Sequence, residues 1–368
     1  MKLLRLYIKN CGIFKNSLID FTHEGKYQDM ICLSGVNGSG KTTVMELILN
    51  MINFIRPKIS SQEIFFDRLK PNILPRVEFA QLDLMLDGKV LSLVVGESSN
   101  TVKYDNLDQG FIIENDLKNL ILNFENTIVK VPSEEKSIEI TFEHLNRLRS
   151  GEDLFFKRET HKENLDIFPS LIKINKIFSG QELTENALPF VYFFNSNDRE
   201  ILDIRYASIP KVKNEYNVAY RYIPKKDDLK KYLIYYDYAY PDKFTGFKDW
   251  VNQFVLIGKF IDYIDRANFQ VVIKTKNEGC HNLDLLSTGE QSLLIIAAQL
   301  YFKASDNAIF LIDEVDHSLH PEFQDKVMKL LTQLQKDKGC QILVSSHSDI
   351  IWNNFDNKGL IDLTEMVL

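Results

Sequence analysis

Hydrophobic and polar positions alternate through Leu4 to Lys9 and Ser17 to Phe21, and the run Met30-Ile31-Cys32-Leu33-Ser34 has the length of a buried strand. A glycine-rich turn follows at once. From Lys41 onward Val44, Leu47, Ile48, Met51, Ile52 and Ile55 recur at helical spacing, and the next proline is Pro57. Alternation from Val77 through Phe79, Gln81, Asp83 and Met85, turning at Asp87-Gly88 and returning to Val95, predicts an antiparallel hairpin with an exposed polar face, a small side sheet. Thr101 to Leu188 is charged and mostly helical in pattern, with Leu117, Leu120, Ile121, Leu145 and Leu148 on that period. Pro189 to Asn195 reads as a buried strand, followed by a Tyr- and Lys-rich region and a helix from Phe247 to Ile264. The last hundred residues alternate strand Gln270 to Lys274, helix Gly289 to Phe302, strand Ala308 to Asp313, helix Pro321 to Leu334 and strand Gln341 to Ser345. Such a rhythm implies a mostly parallel sheet joined by helical crossovers. The expected fold is therefore α/β, with residues 1–100 and 270–368 forming one discontinuous head with an antiparallel side sheet, and 101–269 forming a mostly helical insertion or lid. The strand at about 189–195 is the part of that insertion able to return to the head.

Gly35-Val36-Asn37-Gly38-Ser39-Gly40-Lys41-Thr42 fits GxxxxGK[ST] and stands between a predicted buried strand and a predicted amphipathic helix, the context that this motif requires. Gly35, Gly38 and Gly40 let the backbone around Asn37 and Ser39 wrap phosphates with its N–H groups, and the helix start at Lys41, Thr42 and Thr43 adds the positive end of a dipole. Lys41 neutralises the β- and γ-phosphates, and the Thr42 hydroxyl suits Mg²⁺. ATP and Mg²⁺ are the expected cofactors.

Ala308-Ile309-Phe310-Leu311-Ile312-Asp313-Glu314 is an apolar strand ending in two carboxylates, where an α/β sheet opens its ligand crevice. This is a Walker B pattern: Asp313 for the Mg²⁺ shell, Glu314 as the general base that polarises the attacking water. Ser287 and Glu290, in Leu286-Ser287-Thr288-Gly289-Glu290-Gln291, have the spacing of a capping box ahead of a helix.

That hexapeptide also resembles the signature of ABC-type ATPases. Val315-Asp316-His317-Ser318-Leu319-His320-Pro321 resembles their D-loop, with Asp316 in the aspartate position, and Val344-Ser345-Ser346-His347-Ser348 resembles their switch histidine segment. The resemblance implies that Lys41, Thr42, Asp313, Glu314 and His347 serve one ATP in cis, with His347 sensing the γ-phosphate. It implies that Ser287 and Gly289 reach the ATP of a second head in trans, through a homodimer or a larger assembly built from it. Transporter cassettes are similar in these motifs but place the signature much closer to the phosphate loop than Gly40 stands to Leu286 here. Leu6-Tyr7-Ile8-Lys9-Asn10, Phe14-Lys15-Asn16, Ile19-Asp20-Phe21 and the LSTGEQ and IDEVDHSLHP segments resemble soluble RecF-, SMC- and OLD-related ATPases of DNA repair and anti-phage defence, over roughly residues 1–100 and 270–368. Three departures stand out. Cys11-Gly12 occupies the place where relatives carry Phe-Arg. The Q-loop glutamine has no evident counterpart, with Asn195 and Asn197 the candidates after Tyr192-Phe193-Phe194. The short stretch after His347 leaves no room for the TOPRIM nuclease of OLD-type proteins, so a nuclease or toxin effector is expected as a separate polypeptide.

Composition narrows this picture little. A net charge of −7 disfavours a generally cationic nucleic-acid coat, while 45% apolar and 26% charged residues suit a globular chain. No apolar run approaches the roughly 18 residues of a membrane span, and the N-terminus interrupts its apolar residues with charge, so a cytoplasmic protein without a membrane partner is expected. Cys11, Cys32, Cys280 and Cys340 are scattered singly and read as reduced thiols. The middle is too interrupted for a long coiled coil. Between Arg205 and Lys248, Lys211, Lys213, Arg221, Lys225, Lys226, Lys230 and Lys231 stand among Tyr206, Tyr216, Tyr220, Tyr222, Tyr232, Tyr235 and Tyr236. Such a mixture serves packing or a protein interface on one reading and DNA contact on the other.

Overall fold

The computed structural model describes residues 1–55, 77–95, 110–115, 128–130, 169–178, 188–212, 216–256, 258–277, 279–355 and 358–364. Strands β1 (Lys2–Cys11) and β2 (Phe14–Asp20) form a hairpin, followed by the two-residue pair β3 (Thr22–His23) and β4 (Lys26–Tyr27). Strand β5 (Met30–Ser34) runs through the glycine turn into helix α1 (Lys41–Ile52). Next come β6 (Val77–Leu86), β7 (Lys89–Val95), β8 (Gly110–Asn115), β9 (Ile128–Lys130), α2 (Pro169–Phe178), β10 (Phe190–Phe194) and β11 (Ala219–Arg221). The remainder is α3 (Leu229–Ala239), α4 (Pro241–Phe254), β12 (Lys259–Asp265), β13 (Gln270–Thr275), β14 (Cys280–Asn282), α5 (Thr288–Lys303), β15 (Ala308–Ile312), α6 (Pro321–Lys338), β16 (Gln341–Ser345), α7 (Asp349–Trp352) and β17 (Leu360–Asp362).

Six strands in the order β11-β10-β15-β16-β5-β17 form a wholly parallel sheet. Its inner strands are buried almost throughout and apolar through their centres because both faces are covered. Alternate side chains point to opposite faces. Ile31, Leu33, Val191, Phe193, Ile309, Leu311 and Leu343 join α1 and the antiparallel strands in one core. Cys32, Tyr192, Phe194, Phe310, Ile312, Ile342 and Val344 join α3 to α6 and the strands β12 and β13 in the other. Helix α5 is buried from Leu293 to Leu300 all round, as a helix between layers must be. Helix α6 buries only Val327, Met328, Leu330, Leu331 and Leu334, starts with Pro321 at its first turn and stops at Gly339, whose φ of 68° favours glycine.

The second sheet, β2-β1-β6-β7-β8-β9, contains the predicted hairpin at Asp87-Gly88. The hairpin's polar residues do not all face solvent as the alternation predicts, although Glu78 does. Gln81 and Asp83 are buried, and Asp83 accepts hydrogen bonds from Ser92 and Gln81 and lies 3.7 Å from Arg5. Burial raises the Asp83 pKa, and those hydrogen bonds oppose it.

Two further expectations change. The helix predicted for Phe247 to Ile264 lies earlier, at Pro241–Phe254, and Lys259–Asp265 is a strand. Apolar Phe260, Ile261 and Ile264 are compatible with either period, and pairing with β13 decides for the strand. Strand Gln270 to Lys274 belongs not to the parallel rhythm but to a separate antiparallel sheet, β12-β13-β14. Of the stretch predicted mostly helical, β8 and β9 are strands and α2 is a helix, while Leu117, Leu120, Ile121, Leu145 and Leu148 lie outside the described residues. The strand expected at 189–195 is β10, seated in the parallel sheet beside β15.

Much of the Tyr- and Lys-rich region packs inward. Tyr222, Tyr232 and Lys230 are buried, and Lys230 donates to the Ile204 carbonyl. Lys303, at the end of α5, lies 4.5, 5.5 and 5.3 Å from the ring centres of Tyr192, Tyr220 and Tyr232. Burial draws its pKa down to about 8 against the pull of Asp227. Such cation–π contacts contribute about 0.5–2 kcal/mol each, and these tie the signature helix to β10 and β11. Cys11, Cys32 and Cys340 are buried free thiols and Cys280 is exposed. Among the described residues no helix is long and apolar enough to cross a membrane.

Candidate nucleotide site

The carboxyl ends of β5, β15 and β16 adjoin, which gathers the phosphate loop, the acidic pair and the histidine segment at one edge of the parallel sheet. Gly35, Gly38 and Gly40 all have positive φ (137°, 83° and 87°). A Cβ on Gly35 would stand 2.7 Å from Ser39 Oγ, and one on Gly40 2.5 Å from the Phe14 ring, so neither can be replaced without moving the loop. Lys41 Nζ donates to the carbonyls of Gly35 (2.8 Å) and Val36 (3.0 Å) and to Ser39 Oγ (3.2 Å). Its ammonium is thus folded back over the loop. Burial lowers the Lys41 pKa, and Asp313, Glu314 and Asp316 oppose that shift. Gly40 caps α1 without any side chain to accept from the first-turn amides, which leaves an anion-ready helix start. Asn37 is exposed, and Thr42 and Thr43 are half-buried at that start.

Across the sheet, Thr42 Oγ1 donates to Asp313 Oδ2 at 2.8 Å, and Ser345 Oγ donates to Asp313 Oδ1 at 2.6 Å. Ser345 Oγ in turn accepts from the Glu314 amide at 2.7 Å. Burial raises the Asp313 pKa, while the bonds from Ser345 and Thr42 lower it. Glu314 has φ 44°, a left-handed conformation that costs a non-glycine residue about 1–3 kcal/mol. Its carboxylate lies between two imidazoles: His317 Nδ1 is 3.3 Å from Oε2, and His347 Nε2 is 4.0 Å from Oε1. Asp316 Oδ2 accepts from the His347 amide at 3.4 Å, and its buried Oδ1 has no partner among the described residues.

Arg199, next to the turn after β10, is 3% exposed, and its Nη2 donates to the carbonyls of Asp313 (2.9 Å) and Glu314 (2.7 Å). Burial lowers its pKa to about 10 against the three acidic side chains beside it. Asn195 caps the same turn by accepting from the Asn197 amide. Thus neither asparagine considered for the Q-loop makes the link to Walker B that Arg199 makes.

Thr42 and Asp313 offer two hard oxygens in hydrogen-bond contact, a donor set that suits Mg²⁺, a cation that takes one or two protein oxygens with phosphate oxygens and waters completing its shell. Among the described residues no group of three or more His, Cys, Asp or Glu could hold a metal without such help.

The signature lies at the start of α5. Ser287 and Glu290 form the predicted capping box, with the Ser287 amide and Oγ both 2.9 Å from Glu290 Oε2. Lys259 pairs with the same Oε2 at 2.7 Å. Gly289 is needed within its own head: a Cβ there would stand 2.6 Å from the Ser318 carbonyl oxygen. Ser287 and Thr288 are exposed, and Leu285 is 68% exposed.

The structure therefore brings Lys41, Thr42, Asp313, Glu314, Asp316 and His347 together. It adds Arg199, Ser345 and His317, which sequence reasoning did not assign. His317 had a usable signal in its three-residue spacing from Glu314; Arg199 had none.

A buried parallel sheet carrying a phosphate loop, an acidic strand end and a capped signature helix defines a P-loop ATPase of the ABC type, an ATP-binding fold. Residues 30–352 match the family described as "AAA domain, putative AbiEii toxin, Type IV TA system", and the chain belongs to that family. No curated protein matches it. Among solved structures it is similar to an SMC head domain from Thermotoga maritima, with 15% identity, 98% of this chain and 94% of that chain covered, and a TM-score of 0.43. An Smc head bound to the C-winged helix domain of ScpA gives 13%, 98%, 94% and 0.48. The cbiO1 protein of Clostridium perfringens, part of the ABC transporter complex cbiONQ, gives 12%, 98%, 85% and 0.36.

Proposed function

We propose that this chain hydrolyses Mg-ATP as a two-headed switch, in which two copies sandwich two nucleotides and separate after hydrolysis. The observation that carries the reading is the division of the site. Thr42, Asp313, Ser345 and Glu314 form one bonded set, whereas the exposed Ser287 hydroxyl has its described hydrogen bonds with Glu290 of its own helix.

Lys41 and the loop amides bind the β- and γ-phosphates and offset their charge. Thr42 and Asp313 would hold Mg²⁺, which when bound would supply polarisation of the terminal phosphoryl group. Glu314 takes the proton from the water that attacks phosphorus, and the bond to the β–γ bridging oxygen breaks to leave ADP and phosphate. His347 contacts the γ-phosphate, and Asp316 orients its backbone. Ser287, Gly289 and the α5 start serve the nucleotide of the other head through the same dipole and N–H physics.

The family description names a toxin of a type IV toxin–antitoxin system, which favours a defence setting with a separate protein partner over DNA repair. Phosphate release measured with and without DNA separates the two, since only a repair enzyme gains from DNA. The central test is light scattering of Glu314→Gln, which blocks hydrolysis and traps ATP. An ATP-dependent rise to dimer mass is expected; a mass indifferent to ATP, with no larger assembly formed beforehand, sinks the two-headed reading.

A further inference from the structure

The Glu314 backbone is left-handed, and its two flanking carbonyls point at one side chain. Arg199 Nη2 donates to both of them, from a guanidinium that is almost wholly buried. Its Nε and Nη1 have no hydrogen-bond partner among the described residues. A buried cation with unmet donors is unfavourable, and its persistence needs a reason beyond packing. The planar fork holds a turn in a way that a flexible ammonium does not.

Two residues further on, the Ile201 amide donates to Gln291 Oε1 at 3.1 Å. Gln291 is the last residue of the signature hexapeptide. Its Nε2 donates to the carbonyls of Asp284 (3.2 Å) and Leu286 (2.9 Å), clasping the loop on either side of the exposed Leu285. A continuous path of hydrogen bonds and three residues of chain therefore runs from the Walker B turn to the signature tip of the same head.

We propose that Arg199 is a positioning residue for Glu314 and that, through Ile201 and Gln291, it couples the Walker B turn to the signature loop within one head. This rests on the hydrolytic role given to Glu314 above. Arg199 touches neither water nor phosphate in this account; it sets the carbonyl geometry from which the Glu314 carboxylate is aimed. Gln291 transmits any shift of segment 199–201 to the loop that meets the other copy's nucleotide. Binding at one nucleotide site and catalysis at the other are thereby linked.

The test uses the full chain with Arg199→Ala, Arg199→Lys, Gln291→Ala and the double variant Arg199→Ala/Gln291→Ala. It measures kcat by phosphate release, ATP affinity by calorimetry and folding by thermal melting. Misaiming a base by about an ångström costs roughly 10²-fold in rate, so Arg199→Ala is expected to lose that much in kcat while ATP affinity holds. Arg199→Lys, which keeps the charge but not the fork, recovers part of the rate. Coupled residues are non-additive, so Gln291→Ala should lower kcat less in the Arg199→Ala background than alone. Wild-type kcat in Arg199→Ala, equal losses of kcat and affinity, or strict additivity in the double variant overturns the proposal. If Arg199→Ala does not fold, Arg199→Lys decides: a lowered kcat with intact affinity supports it, and a wild-type kcat overturns it. Glu314→Gln serves as the control. If it hydrolyses ATP at the wild-type rate, the role of Glu314 fails; if it is inactive while Arg199→Ala is normal, the role of Arg199 fails and that of Glu314 stands.

Discussion

The two halves of the proposed nucleotide machinery are built differently. The phosphate-loop half is closed in on itself: Lys41 bonds its own loop, and Thr42, Asp313, Ser345 and Glu314 satisfy one another at the sheet edge. The signature half is anchored beneath and open above, with Glu290 buried in its capping box while Ser287, Thr288 and Leu285 meet solvent. A site whose polar groups are already paired is preorganised for charge, since little reorganisation remains when the ligand arrives. A rigid, exposed tip suits a surface completed by another molecule. On the two-headed reading proposed above, the cis chemistry lies within one head and the trans chemistry needs two.

Three substitutions bear on this contrast, beginning with the largest effect. Lys41→Ala should remove ATP binding through loss of a buried charge contact, a change of about 2–5 kcal/mol; calorimetry reading an unchanged affinity would overturn the assignment. Gly289→Ala places a methyl against the Ser318 carbonyl and should destabilise the head by about 1–3 kcal/mol. Denaturant melts check this, and a neutral result would show that the Ser318 carbonyl does not hold this position to glycine. Ser287→Ala removes an N-cap and should cost about 1 kcal/mol, visible as a small drop in melting temperature without change in ATP affinity for the single head.

A pH dependence sharpens the same point. Burial raises the Glu290 pKa, but the bonds from Lys259 and Ser287 outweigh it and leave the value lowered. A depressed folded-state pKa contributes stability that is present above the unfolded value and lost as pH falls through the folded one. Wild-type protein should therefore lose signature-half stability below the ordinary glutamate range, and Lys259→Met should shrink that acid sensitivity. Melting curves across pH 3 to 6 for both proteins, roughly the span where carboxylates titrate, compare the two; identical acid sensitivity would refute the role of Lys259.

Phosphate-loop chemistry was legible because it is local. Gly35 to Thr42 must be contiguous to wrap a phosphate, and the strand before and helix after were readable from periodicity. The acidic strand end and the capping box were legible for the same reason. The segment after α4 was not, because Lys259–Asp265 carries an apolar pattern that suits helix or strand until β13 lies beside it. The buried face of the β6–β7 hairpin misled for a related reason: Gln81 and Asp83 are polar, yet Gln81 donates to Asp83, and Ser92 and Arg5 come from other strands to meet the same carboxylate.

By itself, the amino-acid order singled out the candidate residues for phosphate, metal and an attacking water, since these tasks need particular side chains on a few consecutive positions. Tertiary structure alone decided what holds those residues in place. Thr42 meets Asp313 across 271 positions, and Arg199 reaches the Walker B carbonyl across 114. Bonds of that span leave no local pattern, because their donors and acceptors are common groups that become partners only when the sheet assembles.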